Sequence, residues 1–231
     1  MKSDQGVEWT AVQEELRRVL SQPVERLIVV EDQLLIPEAE GWGIPDSDRR
    51  ALSERGLPRL PLFTARPQFG ADPALVPNRA GPQERRLVND GQRLYDLGFW
   101  GPRADSFVVG VVPGDGRVLC LLPAPVTAED IPKVLRPYHA GLHKPAVSFF
   151  SSSVAQYVET AWRWYSAIRI IRRAGEPAPT APEEAVVHHY DRLYGCVELI
   201  VDAARRLDPV GGVRVDAPES VWVELIRANS V

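Results

Sequence analysis

Cysteine is nearly absent from this chain: 231 residues contain two, Cys120 and Cys196, each inside an apolar run. Two cysteines make no disulfide framework, and with no CxxC pair there is no zinc knuckle or thiol-exchange motif. Both are expected to be buried free thiols in a reducing compartment. Lysine is almost as scarce, with three (Lys2, Lys133, Lys144) against 24 arginines. No apolar run approaches the roughly 20 residues of a membrane span. The opening MKSDQGVEW is polar and acidic, unlike a signal peptide, so a soluble cytoplasmic protein is expected. A dominant charge sign is missing too. The formal net charge of −4 argues against a surface given over to nucleic acid.

What is present is an ordinary globular composition, with 45 % hydrophobic and 25 % charged residues. A chain of this size can bury a core without staples, which excludes disorder throughout. The mild net charge is an average. Residues 1–48 hold 4 basic and 11 acidic groups, whereas residues 49–103 hold 10 and 5. An acidic arm therefore precedes a basic stretch.

Along the chain, Val12, Leu16, Val19 and Leu20 mark a short amphipathic helix over residues 7–20, stopped by Pro23. RLIVV (26–30) and QLLI (33–36) read as strands. Asp46 is placed to cap a helix that runs through Glu54 and ends at Gly56. PLFTA (61–65) is strand-like, and residues 66–91, rich in Pro, Gly, Asn and Arg, read as a long connection. The alternation of RLYDLGFW (93–100) predicts a strand. SFVVGVVPGDGRVLCLLP (106–123) predicts two strands about a Pro113–Gly116 turn. A Pro-punctuated passage (124–145) leads to the strand AVSFF (146–150). Ser151–Ser153 then offer capping hydroxyls to a helix reaching about Arg173, with Gly175 just past its end. Pro182-Glu183-Glu184 opens another helix with Val187, Tyr190, Leu193, Tyr194, Val197, Ile200, Val201 and Ala204 as its buried stripe. Asp216–Glu219 resembles a capping box ahead of a last helix carrying Trp222, Leu225 and Ile226. Helices, then hairpin-linked strands, then helices make an α+β order, not a repeating βα one.

No catalytic constellation emerges from these residues. The GDG turn is followed by a strand and lacks GxxxxGK[ST], so it is no phosphate loop. His139 and His143 are four apart but straddle Gly141 without the glutamate of HExxH. Of the adjacent His188 and His189, only one can face a given site on a helix. FFSSSV is not a nucleophile elbow. The pairs Glu14-Glu15, Glu31-Asp32 and Glu183-Glu184 have helix-surface or helix-start explanations. Trp162 and Trp164 could stack bases, but on an apolar helix they read as core. No metal and no cofactor are expected.

Four landmarks recur in order: a helix ending in RGLP (Arg55–Pro58) and followed by Leu62-Phe63; LYDLGFWG (94–101); the strand after GDGRV (114–118); and SFFSSSVAQYV (148–158). In that order they resemble the SUKH superfamily, and most its type-four immunity-protein group from actinobacteria. Trp222 in VWVELI fits that group's terminal helix, although Phe150 stands where the group has Asn before the serines. The resemblance covers about residues 24–230. It implies a mixed, mostly antiparallel sheet with helices packed against it, forming an α+β domain over 24–231 after an N-terminal helix at 1–23.

It also implies a non-enzymatic immunity protein that binds and neutralises a cognate toxin domain, often a nuclease or deaminase. No membrane and no direct nucleic-acid partner is expected. Because such toxins hold phosphates, an acidic surface would dock on them. Glu31, Asp32, Glu38, Glu40, Asp46 and Asp48 are the candidates, with Trp42, between two glycines, as an exposed hot spot and Trp100 as a second. The competing readings are a regulatory or scaffold module of the same fold, and a small-ligand binder around His188, His189 and Asp191.

Overall fold

A computed structural model describes residues 8–60, 63–64, 70–101, 107–209 and 221–230. In chain order its elements are α1 (Trp9–Leu20), β1 (Gln33–Leu34), α2 (Asp46–Arg50), β2 (Leu57–Pro58) and β3 (Phe63–Thr64). Then come α3 (Glu84–Leu87), β4 (Tyr95–Trp100), β5 (Phe107–Val111), β6 (Val118–Leu121), β7 (Val126–Thr127), β8 (His143–Lys144) and β9 (Val147–Ser151). The chain closes with α4 (Val154–Ala174), α5 (Glu183–Leu207) and α6 (Val221–Asn229). Helices and antiparallel sheet together make an α+β fold.

The chain divides into two compact units, one of Met1–Asp32 with Glu159–Val231, the other Gln33–Val158. Contacts thus divide the chain at Asp32 and inside α4, where the sequence suggests one boundary after residue 23.

The Gln33–Val158 unit is built on a five-stranded sheet of order β3-β4-β5-β6-β9, antiparallel throughout. All four residues of β6, an interior strand of the sheet, are buried. Leu87, Val88, Leu94, Val112, Leu119, Leu121 and Val147 form one apolar cluster of this unit. The bulge at Asp96/Gly98 in β4 is fastened by the Gly98 N–H, which donates to Asp96 Oδ1 at 3.0 Å. The predicted strands at 93–100, 106–123 and 146–150 all appear here.

The strand predicted at 26–30 does not form, and the one predicted at 33–36 is cut to the two residues of β1. That segment forms one-turn 3₁₀ helices at Val24–Arg26 and Val30–Asp32, and only Gln33–Leu34 pairs, with Leu57–Pro58. Pro58 has no N–H to extend the ladder. The helix at Asp46 also differs. Pro45 is its N-cap and Asp46 lies inside the first turn, where it pairs with Arg49 instead of capping. Its continuation, Ala51–Arg55, widens to a π-helical turn closed by the Gly56 N–H on the Ala51 carbonyl at 2.9 Å. Gly56 has φ 59°, and a Cβ there would stand 2.2 Å from the Leu34 carbonyl oxygen, so only glycine serves.

In the other unit, α1 packs on α5, as does α6. Leu16, Val19 and Leu20 of α1 are buried. Arg163 of α4 donates to the Leu20 carbonyl and pairs with Glu159 one turn earlier. The Trp164 Nε1–H donates to Ser230 Oγ at 3.0 Å, and its ring meets Trp222 edge-on. The expected buried stripe of α5 is only half right. Leu193, Val197, Ile200, Val201 and Ala204 are buried, but Val187, Tyr190 and Tyr194 are exposed. The capping box expected at 216–219 lies outside the described residues.

Candidate functional site

The acidic segment that the sequence singles out is made of tight turns. In the Gln33–Val158 unit, a 3₁₀ helix over Pro37–Gly41 carries Glu38 and Glu40, and α2 carries Asp46 and Asp48. Glu38 and Glu40 are exposed and, among the described residues, form no ion pair or hydrogen bond. Asp46 is exposed and pairs with Arg49. These three offer negative charge to solvent.

Glu31 and Asp32 belong to the other unit. Glu31 is exposed, while Asp32 is half-buried and accepts a hydrogen bond from the Tyr165 hydroxyl. Burial, together with that bond, holds the Tyr165 phenol above its usual value.

Two candidates are not on the surface. Trp42 is 1 % exposed: its ring stacks on Tyr95 with centroids 4.5 Å apart, and its Nε1–H donates to the Gly70 carbonyl at 2.9 Å. The flanking glycines suggest an open loop. Instead, the Gly43 N–H donates to the Tyr95 hydroxyl at 2.8 Å, which draws that loop onto the sheet. Asp48 is also 1 % exposed, turned in to the start of α4, where its Oδ1 accepts from the Ala155 N–H at 2.8 Å. Burial raises its pKa more than the backbone bonds from Ala155 and Val154 lower it, and the Asp115 charge adds to the rise. Trp100 is likewise core, its Nε1–H donating to the Tyr157 hydroxyl at 2.9 Å.

The remaining chemistry-bearing residues take structural places. Ser153 Oγ accepts from the Gln156 N–H at 3.2 Å, as a helix cap does. Trp162 and Trp164 are buried. His189 lies edge-on to Trp9 at 5.0 Å, while His188 and Asp191 face solvent, which counts against a ligand site there. Among the described residues no group of three or more His, Cys, Asp or Glu could hold a metal ion. Cys120 and Cys196 are buried free thiols. Burial pushes the Cys196 thiol up, away from the nucleophilic thiolate. No helix among the described residues is long and apolar enough to cross a membrane.

Sequence reasoning missed two surfaces. One is the Val187, Tyr190 and Tyr194 face of α5; helical spacing marks such residues as apolar, but nothing in it says whether a neighbour covers them. The other is the passage between β7 and β8, whose prolines obscured any periodicity.

The chain matches a family described as SUKH-4 immunity protein over residues 35–228. No curated protein and no solved structure matches it.

Proposed function

We propose, from the premise that this chain belongs to the SUKH-4 immunity protein family, that it binds a cognate toxin domain and neutralises it by occluding its working surface. The family match over residues 35–228 is the observation that carries this reading. Immunity proteins of this kind are generally non-enzymatic, and the described residues supply no catalytic constellation to set against that. Its place is the cytoplasm, a reading supported by two cysteines kept as buried free thiols.

The exposed charge supports a toxin with a cationic working surface. Glu38 and Glu40 carry no counter-ion among the described residues, and Asp46 stands exposed nearby in sequence. A cationic surface that holds phosphates, as in a nuclease or a nucleic-acid deaminase, complements such a patch and is steered toward it. Glu31 adds negative charge in the other unit. Trp42 and Asp48 drop out of the docking set because both are buried.

The test is a toxicity-rescue assay with toxin domains encoded beside this gene. Co-expression is expected to restore growth, and the purified pair to form a stoichiometric complex. Rescue without complex formation, or turnover of a small molecule by the chain alone, overturns the reading.

A further inference from the structure

The main sheet leaves one part of its unit standing clear of the core. None of residues 122–144 is buried. Within them β7 and β8 form a separate two-stranded ribbon, pairing Val126 with Lys144 and Thr127 with His143. The root of the excursion between them is fixed: Asp130 Oδ2 accepts from the Thr127 N–H at 2.7 Å, closing a capping box. Arg136 ties its middle, donating through Nε to the Ile131 carbonyl at 3.2 Å and through Nη2 to the Glu129 carbonyl at 2.6 Å. The Leu135 N–H donates to the Pro132 carbonyl at 2.9 Å, and the Tyr138 N–H to that of Leu135 at 3.0 Å. In turns this tight, side chains three apart eclipse, so Leu135 and Tyr138 share a face.

That shape displays an apolar centre with a balanced rim. Val134 is 77 % exposed, Tyr138 82 % and Leu135 45 %. Alongside them in sequence stand two acids, Glu129 and Asp130, and two bases, Lys133 and Arg136. Asp130 and Arg136 attract one another, and Lys144 at the root is already partnered. The excursion therefore has no excess of base with which to seek a polyanion, whether an anionic lipid surface or a nucleic-acid backbone. An apolar centre ringed by charges of both signs is instead the anatomy of a protein–protein contact, where tyrosine and arginine are enriched.

We propose that this hairpin enters the working cleft of the toxin domain, with Leu135 and Tyr138 filling an apolar pocket there. The inference rests on the toxin-binding reading above and adds the element that blocks the cleft. A segment with no buried residue is a projection, and its counterpart is concave. Two such projections pressed together enclose little area, which counts against a second copy of this chain as the occupant. The bonds of Asp130 and Arg136 set the shape before the encounter, so little ordering is left to be done on binding. The two surfaces then divide the work. Glu38 and Glu40 steer the approach of a cationic partner, and the neutral hairpin holds the complex once formed.

The test uses the full chain and the purified toxin domain encoded beside this gene. Tyr138→Ser is expected to weaken the complex about 30-fold, as loss of one interface anchor does, and Leu135→Ser with Tyr138→Ser to weaken it further. The loss should lie in the dissociation rate, with the association rate and its salt dependence kept, since no charge is removed. The thermal unfolding midpoint of Tyr138→Ser is expected to match the natural chain's, because the side chain is exposed. On the toxin domain, amide hydrogen exchange should slow along the cleft in the complex, and the double variant should lose that protection. If the natural chain forms the complex and both variants form it as tightly, or the protection lies outside the cleft, the hairpin proposal is overturned while the toxin-binding reading stands. If the natural chain forms no complex, both fall. If the variants abolish self-association or binding to phosphatidylglycerol vesicles and spare the toxin complex, the occupant is a second copy or a lipid surface, and the proposal is overturned.

Discussion

The Asp48 carboxylate accepts a hydrogen bond from the backbone N–H of Ala155, 2.8 Å away and 107 residues further along the chain. A short helix thereby supplies a cap to the N-terminus of the 21-residue helix α4. With Ser153 Oγ accepting from Gln156, donors that α4 cannot satisfy internally find partners. Asp48→Ala leaves buried N–H groups unpaired and is expected to cost about 2 kcal/mol of unfolding free energy in urea titrations.

The pH dependence of that contact has a definite sign. Burial holds the folded-state pKa of Asp48 above its ordinary value. A raised carboxyl contributes stability that is fully present below the unfolded pKa and is lost as pH rises through the folded one. Asp48→Asn keeps an acceptor but cannot ionise. Its stability relative to the natural protein is therefore expected to improve as pH rises from about 3 toward neutral. A difference that stays flat, or runs the other way, rejects burial as the dominant influence.

The hairpin turn between β5 and β6 meets the same carboxylate. Gly116 has φ 72°, and a Cβ there would lie 2.0 Å from Asp48 Oδ2, on a carboxylate held in place by the Ala155 bond. Gly114, in the same turn, has φ 90° and nothing within 4 Å of its would-be Cβ. Both alanine variants carry left-handed backbone strain of about 1–2 kcal/mol. Only Gly116→Ala must also displace a buried carboxyl. It is expected to lose clearly more stability than Gly114→Ala in the same denaturation assay.

A third contact lies at the surface of the helical unit. Arg227 grips Glu198 with two bonds, Nε to Oε1 at 2.8 Å and Nη2 to Oε2 at 3.1 Å. The guanidinium holds the Glu198 carboxyl below its ordinary value. A depressed carboxyl contributes stability above its unfolded pKa and loses it as pH falls through the folded one. Both side chains are more than a third exposed, so solvent screening keeps the pair within about 1 kcal/mol. Glu198→Gln is expected to cost that much or less at neutral pH and low salt. The loss should shrink in high salt and vanish in acid below the ordinary glutamate range.

These contacts show what was legible in the sequence and what was not. Alternation and turn residues located β4, β5, β6 and β9, because period and turn chemistry are local. Ser153 was readable as a cap for the same reason. Asp48 looked like one more surface acid, since its partner lies 107 residues away and no local pattern encodes that pairing. Trp42 looked exposed because glycines flank it, yet the Tyr95 ring it stacks on comes from β4. The apolar run RLIVV (26–30) carries no period, and local 3₁₀ turns between Pro23 and Pro37 prevailed over strand. The family order of motifs depends on spacing and not on exposure, and the family match over residues 35–228 agrees with it.

The acidic docking surface can be separated from the core by comparing two sets of substitutions. Glu38→Lys with Glu40→Lys changes exposed charges that have no partner among the described residues and is expected to leave the unfolding free energy within about 0.5 kcal/mol of the natural protein's. The same variant is expected to slow association with a cationic toxin domain and to flatten its salt dependence, since rim charges act chiefly on the on-rate. Trp42→Ala should do the reverse. It removes a buried indole, its stacking on Tyr95 and its bond to Gly70, and is expected to cost about 3–5 kcal/mol of stability. Any loss of binding in that variant should track the fraction unfolded, measured by circular dichroism on the same sample. If the double charge reversal leaves the association rate and its salt dependence unchanged, Glu38 and Glu40 are solubility charges and the toxin docks elsewhere.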